Sequence, residues 1–317
     1  MTDSLPIHGN YRGYYTKRPS FHDPRLALIP SNIFKDARIL DIGCNEGWVT
    51  CEIAQQLQAK EVIGVDIDDG LIRAAWKRRR TVWSQRPRIS SPSQPSPSDS
   101  GDEQKPKRSK RPRSSQGEEK TKNRTERGEQ LYSFPAAFEH MFGPLPIPPA
   151  ELPGERSQFP HNVVFRATDW LKEGTIDDWE GYDVVLALSI SKWIHLNNGD
   201  EGLLSFFQRI FSVLRSDGIF ILEPQGWETY HKAKRMDPGL KKIGDSLRLR
   251  PADFERELLK VGFRSVEHLG QTGKGGLHAH LLKALVYELY SSNRLPACFG
   301  SLPEMIVPLM KLKAVGG

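Results

Sequence analysis

Two short apolar runs, Arg38-Ile39-Leu40-Asp41-Ile42 and Glu61-Val62-Ile63-Gly64-Val65-Asp66, are separated by a segment long enough for one helix and its turns. Strands joined in this way cannot form a tight hairpin, so the crossover makes them parallel neighbours in one sheet. The pattern then repeats. Trp48 to Leu57 and Leu71 to Val82 have helical spacing, as do Glu201 to Leu214 and Ala252 to Val261. Asn162 to Arg166, Tyr182 to Leu188, Gly218 to Leu222, Arg264 to Leu269 and Leu281 to Tyr287 read as strands. Strand–helix alternation of this kind predicts an α/β fold, with a mostly parallel seven-stranded sheet and helices on both faces.

The alternation is interrupted once. Residues 84–160 hold 13 of the 23 prolines and little apolar periodicity. Between Lys77 and Arg127 there are 16 Lys+Arg against 6 Asp+Glu, so this stretch carries +10 while the rest of the chain sums to −4. Ser90–Pro97 and Lys105–Arg113 cannot bury enough surface to offset chain entropy, and 84–160 reads as a disordered basic insertion. Leu131–Phe142 is its one apolar island, a candidate docking segment. The basic run suits a nuclear localisation signal or a phosphate-binding arm, with a solvated linker as the plain alternative. The expected organisation is an arm over 1–37, one domain over 38–290 interrupted by the insertion, and a tail over 291–317.

No run of 18 apolar residues is present, which argues against a membrane span. The first residues have neither the basic nor the apolar stretch of a secretory leader. Cys44, Cys51 and Cys298 form no paired motif, so neither a disulfide scaffold nor a metal site is expected. A monomer in the nucleus or cytoplasm is the expectation.

Asp41-Ile42-Gly43-Cys44-Asn45-Glu46-Gly47 follows the first strand and opens the first helix. In doubly wound sheets the ligand lies at the carboxyl ends of the strands, where glycine admits close backbone approach. The next strand ends in Asp66, placed to accept both ribose hydroxyls of a nucleoside. A dinucleotide-binding turn would be G-x-G-x-x-G, facing a pyrophosphate. Here an acid precedes the first glycine and the third glycine is missing. Asp41 would repel pyrophosphate but suits the amino group or sulfonium of S-adenosylmethionine. Thr168 and Asp169, after a later strand, could contact the adenine. Leu188 could floor the methionine, although a strand-end Leu is commonly plain core.

Ser189 to Asn197 follows the fourth strand, where a methyl acceptor would lie. Many amine methyltransferases carry Asn/Asp-Pro-Pro-aromatic here; this chain instead has Lys192 and His195 around Trp193. Those cations suit an anion, while the plain alternative makes Trp193 core and His195 a satisfied helix-start histidine. Asn10 to Arg18 interleaves aromatics with cations, a mixture that stacks bases and pairs phosphates, or else an arm that covers the sheet. Arg25 could reach the methionine carboxylate.

Taken together, Gly9-Asn10-Tyr11 with Tyr14-Tyr15, Asp41–Asn45, Gly64–Asp68, Lys192-Trp193-Ile194-His195-Leu196-Asn197, Gly199–Gly202 and Glu223-Pro224-Gln225 with Trp227 resemble the bicoid-interacting RNA methyltransferase family. The similarity covers most of residues 9–83 and 161–270. It implies a Rossmann-like class I fold that uses S-adenosylmethionine, yields S-adenosylhomocysteine, and methylates a 5′-terminal phosphate oxygen of a small non-coding RNA. It further implies donor contacts from Tyr15, Arg25, Gly43, Cys44, Asn45, Asp66, Ile67, Thr168, Asp169 and Leu188. Tyr14, Lys192, Trp193 and His195 would face the RNA end, with Lys17, Arg18 and Asn197 beside them. Ribonucleoprotein proteins are further expected partners. Two stretches depart from the family: Thr168-Asp169 stands for a usual Gly-Asn, and Gly275–His280 for a G-F-x-R-P strand.

A phosphate oxygen is ionised at neutral pH, so no general base is expected, and Lys192 and His195 would position rather than transfer protons. Two rivals remain open at the level of sequence. One is a methyltransferase for protein or small molecules, indifferent to 5′ phosphorylation. The other is an RNA-binding scaffold that uses the fold as structure alone.

Overall fold

The computed structural model describes residues 5–15, 22–86, 88–89, 131–132, 141, 143–272 and 280–286. Nine strands occur among them: β1 (Arg38–Ile42), β2 (Glu61–Asp66), β3 (Arg88–Ile89), β4 (Leu131–Tyr132), β5 (Val163–Ala167), β6 (Tyr182–Leu188), β7 (Leu214–Glu223), β8 (Ser265–Thr272) and β9 (His280–Val286). Seven form one sheet in the order β5-β2-β1-β6-β7-β9-β8. All neighbours are parallel except β9, which runs antiparallel to both β7 and β8. The last two strands expected from sequence are both present, as a hairpin edge.

Among the described residues six helices cover the faces: α1 (Trp48–Gln56), α2 (Asp69–Ser84), α3 (Ser191–Val213), α4 (Trp227–Ala233), α5 (Pro238–Ser246) and α6 (Phe254–Val261). Every residue of β1 is buried, as expected of a central strand with helices on both sides. Side-chain alternation divides it between two cores. Ile39 packs with Ile53, Val62, Ile72 and Val184 on one face. Leu40 packs with Ile63, Val185, Phe207 and Phe254 on the other. None of the described helices is long and apolar enough to cross a membrane.

The order of strands reverses direction between β1 and β6. The carboxyl ends of these two strands therefore open a crevice, the place where open α/β sheets bind ligands.

The structure shortens the interruption that composition predicted over 84–160. Ser84 is the last residue of α2 and fully buried, and its hydroxyl accepts from Leu145 N–H at 2.7 Å. Arg79 Nε donates to the Pro160 carbonyl at 2.7 Å and Arg86 Nη1 to that of Phe159 at 2.8 Å, with the Phe159 side chain in the core. Residues 143–160 are thus clamped to the domain by Arg79 of α2 and by Arg86 just beyond its end. Their proline-rich composition hid this, because it shows neither helical nor strand periodicity. β3 and β4 pair antiparallel, Arg88 with Tyr132 and Ile89 with Leu131, so the excursion leaves and re-enters at one place. The basic run Lys105–Arg113, most of the apolar island and the tail over 291–317 lie outside the described residues.

Candidate functional site

The crevice deepens into a cavity of about 860 Å³, walled by the turns after β1, β2, β5, β6 and β7 together with the N-terminal arm. Gly43 sits in the first turn at φ 76°, where glycine alone is unstrained, and a Cβ there would collide with Ile190. Its neighbour Asn45, also left-handed at φ 53°, donates its backbone N–H to Asp66 Oδ2 at 2.9 Å. Asp66 Oδ1 accepts from Asp68 N–H at 3.0 Å, so the carboxylate is fixed from two sides at the end of β2. Burial raises its pKa to about 6, despite these two N–H donors. Ile67, 41% exposed, lies beside it on the wall.

Thr168 and Asp169 form the neighbouring wall after β5, and Leu188 closes the floor at the end of β6. The Thr168 backbone N–H donates to the Asp66 carbonyl at 2.9 Å, tying the two walls together. Two amide oxygens of residues beside this wall, Asn10 Oδ1 and Asn45 Oδ1, are buried without a hydrogen-bond partner. An acceptor left dry in this way costs roughly 1–3 kcal/mol unless something donates to it. A fixed carboxylate beside a glycine turn suits a nucleoside with hydroxyl donors. The residues present fit S-adenosylmethionine.

The arm forms the lid side. Asn10 Nδ2 donates to Asp68 at 2.7 Å, and Asn45 Nδ2 to the Tyr11 carbonyl at 3.2 Å. Tyr14 lines the cavity, and Tyr15 stacks on Trp48 with ring centroids 5.7 Å apart. The Trp193 indole occupies the space a side chain at Gly9 would need. Asn197 Nδ2 donates to the carbonyls of Ile7 and Trp193, each at 2.9 Å, which fixes the arm to α3. Lys17 and Arg18 lie outside the described residues.

Three residues expected at the donor do not line the cavity. Asp41 is buried behind the turn, where its carboxylate accepts from Thr50 Oγ1 at 2.6 Å, and burial raises its pKa to about 6. Cys44 turns its thiol into the core, and burial pushes that thiol well above its usual range. Arg25, 2% exposed, is held by Asp23 at 2.6 Å, Glu223 at 2.7 Å and the Tyr15 hydroxyl at 2.9 Å. Glu223 in turn accepts from Ser189 Oγ at 2.5 Å. In this arrangement Arg25 braces the arm against β6 and β7 from below.

On the acceptor side, Lys192 and Trp193 line the cavity. The Lys192 ammonium lies 4.9 Å from the Trp193 ring centroid. Burial lowers its pKa to about 8, with Glu228 opposing and Lys232 adding to the shift. His195 corrects the sequence expectation. It is fully buried, outside the cavity, with Nε2 at 2.7 Å from Asp200 and Nδ1 at 3.3 Å from the Tyr230 hydroxyl. Position after the fourth strand placed it near the acceptor, but the helix turns its ring inward between α4 and α6. Glu228, Lys232 and Met236, with Lys172 across the opening, are lining residues that the sequence reading missed. The i,i+4 spacing of Glu228 and Lys232 after Glu223-Pro224-Gln225 was the available signal.

The model described as Bicoid-interacting protein 3 (Bin3) matches residues 182–283, and one described as Methyltransferase domain matches 39–90. The chain is 32% identical over 272 residues to a probable RNA methyltransferase of Arabidopsis thaliana, covering 84% of this chain and 76% of that protein. It is 30% identical over 270 residues to the U6 snRNA methylphosphate capping enzyme Amus of Drosophila melanogaster, covering 83% and 68%. Identity to the human 7SK snRNA methylphosphate capping enzyme is 37% over 267 residues, 82% of this chain and 36% of that protein. The chain thus spans a little over a third of the length of the human relative and its mouse counterpart. Matches of 30% identity or more that cover over two thirds of the Arabidopsis and Drosophila proteins make this chain a member of the bicoid-interacting protein 3 (Bin3) family.

Proposed function

We propose that the chain transfers a methyl group from S-adenosylmethionine to an oxygen of the 5′-terminal phosphate of a small RNA. The observation that carries this reading is one cavity with an acidic end and a cationic end. Asp66, Asn45 and Gly43 wall the first; Lys192 and Lys232, with Glu228 beside Lys192, wall the second. The relatives' names, methylphosphate capping enzyme and RNA 5′-monophosphate methyltransferase, support the same substrate class.

Bound at the acidic end, S-adenosylmethionine supplies an electrophilic methyl group on sulfur. Asp66 would accept its ribose hydroxyls, and Ile67 and Thr168 would enclose the base. Lys192 and Lys232 would hold the phosphate, whose second pKa is near 6, so its oxygen arrives already ionised. No side chain has to remove a proton. The protein's work is then to hold nucleophile and methyl carbon roughly 3 Å apart and in line. Trp193 and Tyr11, with ring centroids 5.9 Å apart, form an aromatic wall suited to the first base. With its pKa lowered to about 8, Lys192 is still charged at neutral pH and able to bind the phosphate.

Tritiated methyl transfer to matched RNAs bearing triphosphate, monophosphate or hydroxyl ends tests the reading. Incorporation that requires a terminal phosphate supports it, and equal labelling of the hydroxyl-ended RNA overturns it. Nuclear residence and association with ribonucleoprotein proteins belong to the same proposal, supported by the basic run Lys105–Arg113. Imaging of a tagged chain with and without that run would check the location.

A further inference from the structure

A second concavity lies on the outer face of α2, away from the methyl-transfer cavity. It encloses about 610 Å³ between α2 and the wall Pro146–Pro149. Arg73, Lys77, Arg79 and Arg80 line it, with Trp76 and His161, and none of its lining residues is acidic. Arg79 and Arg80 serve the wall as well as the groove. Arg79 Nε donates to the Pro160 carbonyl at 2.7 Å and Arg80 Nη2 to that of Pro144 at 3.1 Å. Arg73 and Lys77 are exposed at the open face. Arg73 pairs with Asp69 at 2.5 Å, exposed on both sides and therefore cheap to exchange.

α2 connects the cavity rim, at Ile67, with the groove, at Arg73 to Arg80. α2 begins directly after Ile67 and Asp68, and the exposed Arg12 guanidinium lies against Gly70 in its first turn. A helix rises 1.5 Å per residue, so Arg73, Lys77 and Arg80 follow one another along roughly 10 Å of one face. Neighbouring cations of the row are thus roughly 4.5–6 Å apart along the axis, and their long flexible side chains can reach successive phosphates. Exposed cations in a row, with no acid among the groove's lining residues, suit the phosphates of a strand that reaches this face.

We infer that the α2 groove binds the phosphate backbone of the same RNA, downstream of the methylated end. The inference rests on RNA being the substrate. Its cations sit apart from the reacting atoms, so they set affinity for the body of the RNA and leave the chemistry at the first phosphate untouched.

The test is the triple variant Arg73→Glu/Lys77→Glu/Arg80→Glu in the full chain, with Arg73→Gln/Lys77→Gln/Arg80→Gln as the milder form. Both are compared with the parent on a 5′-phosphorylated RNA of roughly 16 nucleotides, the upper end of a single-strand site, and on a 5′-phosphorylated trinucleotide. The expected result is at least a tenfold loss of affinity for the longer RNA. The salt dependence should flatten by about 2 in slope, as three phosphate contacts imply. Turnover of the trinucleotide and affinity for S-adenosylhomocysteine should stay unchanged. Unchanged affinity for the longer RNA in both variants overturns the groove assignment while leaving the methyl-transfer reading intact. Displacement of the groove's occupant by polyglutamate but not by RNA would assign it to an acidic peptide and overturn it as well. A parent protein that methylates neither RNA removes the function and the groove together.

Discussion

Asn45 donates its backbone N–H to Asp66 Oδ2 at 2.9 Å, so the turn after β1 holds the acid at the end of β2. Two strands that each supply one wall of the cavity are thereby locked at their open ends. The acid stays aimed at the space between them, where a ribose would lie. It also stays dry, which is why its pKa rises to about 6.

Asp66→Ala should weaken S-adenosylhomocysteine binding by roughly 1–3 kcal/mol, the range for hydrogen bonds to a charged acceptor. Titration calorimetry on the folded variant measures this directly. Unchanged affinity would remove Asp66 from the site.

The pH dependence has a definite sign. Asp41 and Asp66 are both raised by burial to about 6. Their protonated forms therefore stabilise the free protein at acid pH, and that contribution disappears as pH rises through 6. Ribose hydroxyls donate to the ionised carboxylate, so cofactor affinity should move the other way, rising from pH 5 to 7. Asp66→Asn should flatten the affinity profile. A profile that keeps its slope in this variant would point to Asp41 as the titrating group.

Lys192 and His195 should separate cleanly. Lys192→Met should lower kcat/KM on phosphate-ended RNA by tenfold or more, for loss of a charge-assisted contact of about 1.5–3 kcal/mol, with the melting temperature kept. In the parent, KM for that RNA should rise as pH passes about 8, where Lys192 loses its charge. His195→Ala should instead lower stability by roughly 1–3 kcal/mol, because Asp200 and Tyr230 lose a buried partner. A His195→Ala protein with full stability and a specific kinetic defect would restore the histidine to the acceptor side.

Removing residues 91–130 should leave stability and cofactor affinity intact. Extending the deletion to 160 should not, since it strips Phe159 from the core together with the carbonyl partners of Arg79 and Arg86. Thermal denaturation of the two deletions distinguishes them, and equal stability would show the 143–160 strap to be dispensable.

The strands β1, β2 and β6 run over the residues that alternation and apolar runs marked, because central parallel strands are buried on both faces and announce themselves in composition. The donor half of the site was legible for the same reason: Gly43, Asn45 and Asp66 stand at strand ends. The acceptor half was less so. α3 starts at Ser191, ten residues before the helix read from periodicity, and Gly199, at φ 73°, breaks the period between its two parts. α4 and α5 are short and derive their stability from packing of Tyr230, Ala233 and Leu240 against Trp193 and Leu196, a tertiary contact no local pattern encodes. His195 shows the limit most clearly, because the direction of one ring depends on Asp200 and Tyr230 together.

Arg88 and Tyr132 face each other as strand partners, so the two ends of the excursion stand about 4.8 Å apart whatever lies between them. Doubling the length of chain between such ends costs only about 0.6 kcal/mol. Length at this place is nearly neutral to selection for folding. Chain can therefore be added or trimmed between these ends at little cost to the fold that carries the cavity.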